Sequence, residues 1–140
     1  VRHLCLLAAS LYLPIAGAAP VIFDCPRVID IEQTSRTVDQ TWQLVVDSEL
    51  PPASLATIAV YTQHPSDGGN LVADHIEKFD QSQVTTWRLP PDSAPYWMAC
   101  VYTQSRILLA KPIPADATQC RLTESLRTQQ PSGVIAFLCE

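Results

Sequence analysis

The chain has 140 residues, 47% of them hydrophobic, with 9 basic and 14 acidic side chains and a net charge of −5. That length fits one ordinary domain able to bury a core. Acidity without a Lys/Arg cluster argues against nucleic acid and anionic membrane surfaces as partners, and is compatible with a basic protein partner.

Arg2 and His3 precede an apolar run, Leu4 to Ile15, which ends in Ala16-Gly17-Ala18-Ala19. A positive start, a short apolar stretch and a small-residue cleavage site read as a secretory signal peptide over residues 1–19. The uncharged stretch continues to Phe23, nominally long enough to span a bilayer. Pro14 and Pro20 interrupt it, and the small-residue site favours cleavage over a retained anchor. Val21-Ile22-Phe23-Asp24 ahead of Cys25 lacks the small residues that a lipoprotein signal needs. Export leaves residues 20–140 as one domain with no further membrane insertion. Loss of Arg2 sets eight basic against fourteen acidic residues, a net charge near −6. Cys5 leaves with the leader. Cys25, Cys100, Cys120 and Cys139 then remain in an oxidising compartment, periplasmic or secreted, where disulfides form.

Twelve prolines against four glycines cut the remaining chain into short pieces, since proline breaks helices and central strands. The pieces are β-branched and aromatic, of strand length. In chain order the expected strands cover residues 28–32, 41–46, 57–61, 84–88, 96–102, 106–111 and 134–139, with a further arm at 120–123. Asp67-Gly68-Gly69-Asn70 reads as a turn, and Leu71 to Phe79 is the best helical candidate. Thr103-Gln104-Ser105 joins two strands as a tight hairpin. Short strands separated by turn signals predict a small antiparallel β-sandwich or barrel of seven to eight strands with at most one short helix.

Four cysteines allow three connectivities. Cys120–Cys139 is favoured because residues 120–123 and 135–139 can form the arms of one hairpin, with the cysteines opposed at its open end. Cys25–Cys100 follows by elimination. A Cys100–Cys120 bridge is awkward if residues 96–102, 106–111 and 120–123 form a meander, since next-nearest strands lie about 9–10 Å apart. The pairing stays open.

Catalytic signatures are missing. His64-x-x-Asp67 with Asp74-His75-x-Glu77 can be drawn as a metal site, but the spacing matches no established zinc signature. No Gly-x-Ser-x-Gly elbow occurs, and no cofactor is implied. Asp30 and Glu32 alternate on one strand face as solvated side chains. Trp42, Trp87 and Trp97 each lie inside an expected strand among apolar same-face neighbours, which favours core packing over stacking on a glycan.

Cys25-Pro26, Trp42, Trp87-Arg88-Leu89-Pro90 and Tyr96-Trp97-Met98-Ala99-Cys100-Val101-Tyr102 form a recognisable series. Leu108-Leu109-Ala110-Lys111-Pro112-Ile113-Pro114, Cys120 and Cys139 complete it. The series resembles a family of small, exported, functionally uncharacterised proteins of Gram-negative bacteria, and the likeness covers nearly the whole mature chain. It implies a periplasmic or secreted location and a compact β domain. A weaker similarity is to bacterial periplasmic inhibitors of animal-type lysozyme, which carry a Ser-Gly-x-x-Tyr motif. Here Ser132-Gly133 is followed by Val134-Ile135-Ala136, with no tyrosine in place.

The expectation is therefore an exported, disulfide-stapled, non-enzymatic module that binds or inhibits a protein partner. Two alternatives come from other classes: an envelope hydrolase using His64 or His75, and a structural envelope component.

Overall fold

The β-branched runs between the prolines form strands, and two antiparallel sheets close over one apolar core. The protein is seen as a computed structural model that describes residues 19–32, 41, 45, 51–93, 95–127 and 133–140. The signal peptide lies outside the described residues except for Ala19. The strand expected over 41–46, with Trp42, lies outside them except for Thr41 and Val45.

Nine strands occur among the described residues: β1 Val21–Phe23, β2 Val28–Ile29, β3 Ala53–Tyr61, β4 His75–Lys78, β5 Ser82–Arg88, β6 Trp97–Tyr102, β7 Leu108–Pro112, β8 Gln119–Ser125 and β9 Val134–Cys139. They build a five-stranded sheet in the order β1-β9-β8-β5-β4 and a four-stranded sheet in the order β2-β3-β6-β7. The architecture is all-β and sandwich-like. Single 3₁₀ turns at Pro65–Asp67 and Pro91–Ser93 are the helical elements among the described residues.

Three local expectations need correction. Leu71 to Phe79 is not helical: His75–Lys78 is a strand, paired in register with β5 from His75↔Thr86 to Lys78↔Gln83. The Phe79 N–H donates to the Ser82 carbonyl at 2.8 Å and closes a hairpin around Asp80-Gln81, which outweighs local helix propensity. Residues 96–102, 106–111 and 120–123 do not form a meander. β6 and β7 pair in one sheet, while β8 lies in the other between β5 and β9. Pro112 closes β7, at a sheet edge where a missing N–H is tolerated. The expected strand 28–32 is reduced to Val28–Ile29.

Side-chain alternation builds the core. Met98, Cys100 and Tyr102 of β6 point inward, as do Cys120 and Leu122 of β8, Trp87 of β5, and Phe137 and Cys139 of β9. Phe137 is fully buried, with ring centroids 5.7 Å from Phe23 and 6.3 Å from Trp87. The buried Trp87 indole N–H donates to the Leu71 carbonyl at 3.0 Å, so its polar atom is satisfied. Among the described residues no buried side-chain nitrogen or oxygen lacks a partner.

Strict alternation from Phe137 would place Ile135 inside. Instead the β8–β9 register shifts between Thr123↔Ala136 and Glu124↔Val134. This bulge leaves Ile135 unpaired and 55% exposed and turns Val134 inward at 6%. The Arg27 guanidinium donates to the Val134 carbonyl at 2.6 Å, tying the N-terminal segment to the bulge.

Two disulfides lie within this core. Gln119 and Glu140 exchange both backbone hydrogen bonds, at 3.0 Å each. The next pair, Cys120↔Cys139, is therefore the non-hydrogen-bonded one, where facing side chains lie closest. Its Cα atoms are 4.1 Å apart and the sulfurs are bonded. Cys25 bonds to Cys100 with Cα atoms 5.9 Å apart, fastening the segment between β1 and β2 to β6. The Tyr102 hydroxyl donates to the Pro26 carbonyl at 2.8 Å beside it.

Candidate functional site

Strand periodicity separates two chemistries on the five-stranded sheet. Thr85, Trp87, Cys120 and Leu122 are buried inward, so Thr86, Arg88, Gln119 and Arg121 occupy the outer face. The register sets His75 opposite Thr86, Thr86 opposite Arg121, and Arg88 opposite Gln119. Directly opposed residues on one face have Cβ atoms about 5 Å apart, so these side chains form one polar surface.

An open groove of about 410 Å³ lies on this surface, lined by Asp74, His75, Thr86, Arg88 and Gln119. Asp74 fixes its wall. The Asp74 N–H donates to the Thr86 carbonyl at 3.0 Å, and its Oδ2 accepts the Arg88 N–H at 2.7 Å. At the other side Glu140 Oε1 accepts from Gln119 Nε2 at 2.7 Å and from Arg121 Nη2 at 3.0 Å. The Arg121–Glu140 ion pair is half exposed, which limits its contribution to about 0–1 kcal/mol. Its effect on the groove is to neutralise Arg121. The Arg88 guanidinium has no hydrogen bond or ion pair among the described residues and is exposed.

The two histidines are not brought together. His75 lies on β4 in the groove. His64 precedes the Pro65–Asp67 turn, next to the other sheet, its ring edge-on to Trp97 with centroids 4.7 Å apart. His64 Nδ1 accepts the Ser66 N–H at 3.3 Å and meets the Ser66 hydroxyl at 2.7 Å, while that hydroxyl donates to Asp67 Oδ1 at 3.2 Å. A serine triad needs the carboxylate on the imidazole, orienting it as a base. Here Asp67 holds the serine and the His64 ring caps the turn. Gly69, at φ +82°, completes the expected turn; a Cβ there would meet Thr62 Oγ1 at 2.6 Å.

The residues drawn as a metal site, His64, Asp67, Asp74, His75 and Glu77, do not converge. Among the described residues no group of three His, Cys, Asp or Glu side chains is placed to hold a metal ion. Trp87 lies in the core, whereas Trp97 is half-buried on the outward side of β6. Asp30 and Glu32 are exposed but lie beyond β2. Arg88 stands in the sequence only within Trp87-Arg88-Leu89-Pro90, and Thr86, Gln119, Arg121 and Glu140 belong to no functional motif. Their signal was the polar phase of strands whose other phase is apolar, which says nothing about which polar residues meet.

A family model for the type VI secretion system Tli immunity proteins matches residues 47–140. The chain belongs to that family. The matched region takes in β3 to β9, hence both sheets except their edge strands β1 and β2, the groove and three of the four disulfide cysteines. No curated protein and no solved structure matches significantly. The expectation of a non-enzymatic binding module is met at the level of an immunity protein. The likeness to lysozyme inhibitors is replaced by this membership. Among the described residues no helix is long and apolar enough to cross a membrane.

Proposed function

We propose that this immunity protein binds a cognate type VI effector of the lipase class and blocks its activity in the periplasm. The observation that carries the reading is membership of the Tli immunity family over residues 47–140. Two buried disulfides support an oxidising location. A rigid antiparallel scaffold with a pre-formed polar surface supports a binder that needs little reorganisation.

The test pairs the mature protein with its purified cognate effector in a lipase assay and in calorimetry. The expected outcome is a stoichiometric complex in which lipid hydrolysis is lost. Undiminished hydrolysis at saturating immunity protein overturns the reading. A cellular arm directs the effector to the periplasm of a sensitive host. Survival is expected with exported immunity protein and not with a leaderless version.

A further inference from the structure

We propose that the groove beside Arg88 is the point at which a carboxylate side chain of the effector docks, an inference that rests on the effector-binding reading above. Among the described residues around the groove, the charges single out one uncompensated cation. Arg121 is neutralised by Glu140 at 3.0 Å, and the Gln119 amide is engaged by the same carboxylate at 2.7 Å. One oxygen of Asp74 is occupied by the Arg88 N–H at 2.7 Å. Among the described residues that line the groove, Arg88 carries the one guanidinium, exposed and with all its donors free.

Its backbone is held on both sides. β8 pairs with β5 along its whole length through Arg88↔Gln119, β4 pairs with Gln83 to Thr86 on the other side, and Asp74 takes over there by accepting the Arg88 N–H. A guanidinium anchored in this way presents a planar fork of N–H donors that matches a carboxylate through two parallel bonds. His75 and Thr86 stand on the same outer face and line the same groove, offering further polar partners to the incoming group. Arginine anchors of this kind are enriched among the few residues that dominate interface energies.

The groove favours a single negative charge over a double one. Arg121 and Glu140 cancel each other, so among the groove-lining residues one carboxylate, Asp74, stands against one guanidinium, Arg88, and a dianionic phosphate brings more negative charge than that guanidinium offsets. A protein carboxylate matches that balance.

The experiment measures effector affinity by calorimetry for wild type, R88K, R88E and the charge control R106E. Arg106 is exposed between β6 and β7, in the other sheet. The R88E protein is expected to bind roughly 100-fold or more weakly, as for loss of one partner of a hydrogen-bonded charge pair. R88K is expected to fall between R88E and wild type because an ammonium lacks the fork, and R106E to match wild type. Melting curves of all variants should coincide, since the Arg88 guanidinium holds no bond to any of the described residues. A reciprocal arm changes effector acidic residues to arginine one at a time, and one such change should restore binding to R88E.

Wild type that fails to bind the effector overturns both readings. Wild-type binding with R88E and R106E equally affected, or both unaffected, overturns the groove alone and leaves effector binding standing. So does inorganic phosphate binding that requires Arg88 while effector affinity does not.

Discussion

Tyr102 shows how one side chain serves the fold through both of its ends. Its ring lies in the core and its hydroxyl donates to the Pro26 carbonyl at 2.8 Å, next to the Cys25–Cys100 bridge. Burial disfavours the phenolate and raises the pKa above the ordinary 10.0. The unfolded chain therefore loses its proton at lower pH than the folded one. The stabilisation is fully present below pH about 10 and is lost as pH rises from there through the folded value. Denaturant melts between neutral and alkaline pH should show wild type losing more stability than Tyr102→Phe. At neutral pH Tyr102→Phe should be less stable by about 1 kcal/mol, the usual net worth of one hydrogen bond. Parallel curves for the two proteins across the alkaline range would refute the argument. Other titrating groups are common to both, so the difference isolates this one.

At the scale of an element, β9 departs most from a simple pattern. Its bulge reverses the roles of two neighbouring apolar residues: Val134 is 6% exposed and Ile135 is 55% exposed. Removal of buried methyl groups destabilises through lost transfer energy and the cavity left behind, whereas the same truncation at an exposed site changes little. Val134→Ala should therefore lower stability by about 1–2 kcal/mol, and Ile135→Ala by no more than about 0.5 kcal/mol. Urea denaturation of the two variants gives the comparison. The reverse ranking would mean strict alternation along β9 and no bulge. The hydrogen bond from Arg27 to the Val134 carbonyl holds this irregularity in place. It reaches across 107 residues of sequence, a separation that no local window detects.

On the scale of the whole molecule the two disulfides divide the work unequally. Cys25–Cys100 closes a separation of 75 residues and Cys120–Cys139 one of 19. In the chain-entropy picture each bridge contributes about 2–4 kcal/mol, and the longer loop exceeds the shorter by about 1 kcal/mol. Against a typical total of about 5–15 kcal/mol, reduction should lower the melting temperature sharply or unfold the mature protein at physiological temperature. Thermal melts with and without reductant, beside a free-thiol titration, measure this. Replacing Cys25 and Cys100 together by alanine should destabilise more than replacing Cys120 and Cys139. An unchanged melt after verified reduction would remove the disulfides from the stability account.

The all-β class was legible without the structure, because prolines and β-branched runs are local signals that survive without knowledge of neighbours. The absence of a nucleophile elbow or zinc spacing likewise pointed to a binding protein. What tertiary structure decided was everything that depends on register and layer. His75 was visible as a titratable residue, but its distance from His64 follows from which sheet each strand joins. Leu71 to Phe79 read as a helix because its hydrogen-bonding partner, β5, lies beyond a two-residue turn. Residues 106–111 and 120–123 looked adjacent, yet the chain changes sheets between Pro112 and Gln119. The groove is the fullest case. Asp74, Arg88, Gln119 and Glu140 are scattered along the sequence, and β4–β5–β8–β9 pairing places them on one face. Periodicity is a property of one strand, so the sequence alone determined which residues face out; register is a relation between strands, so only the folded sheet decided which of them meet.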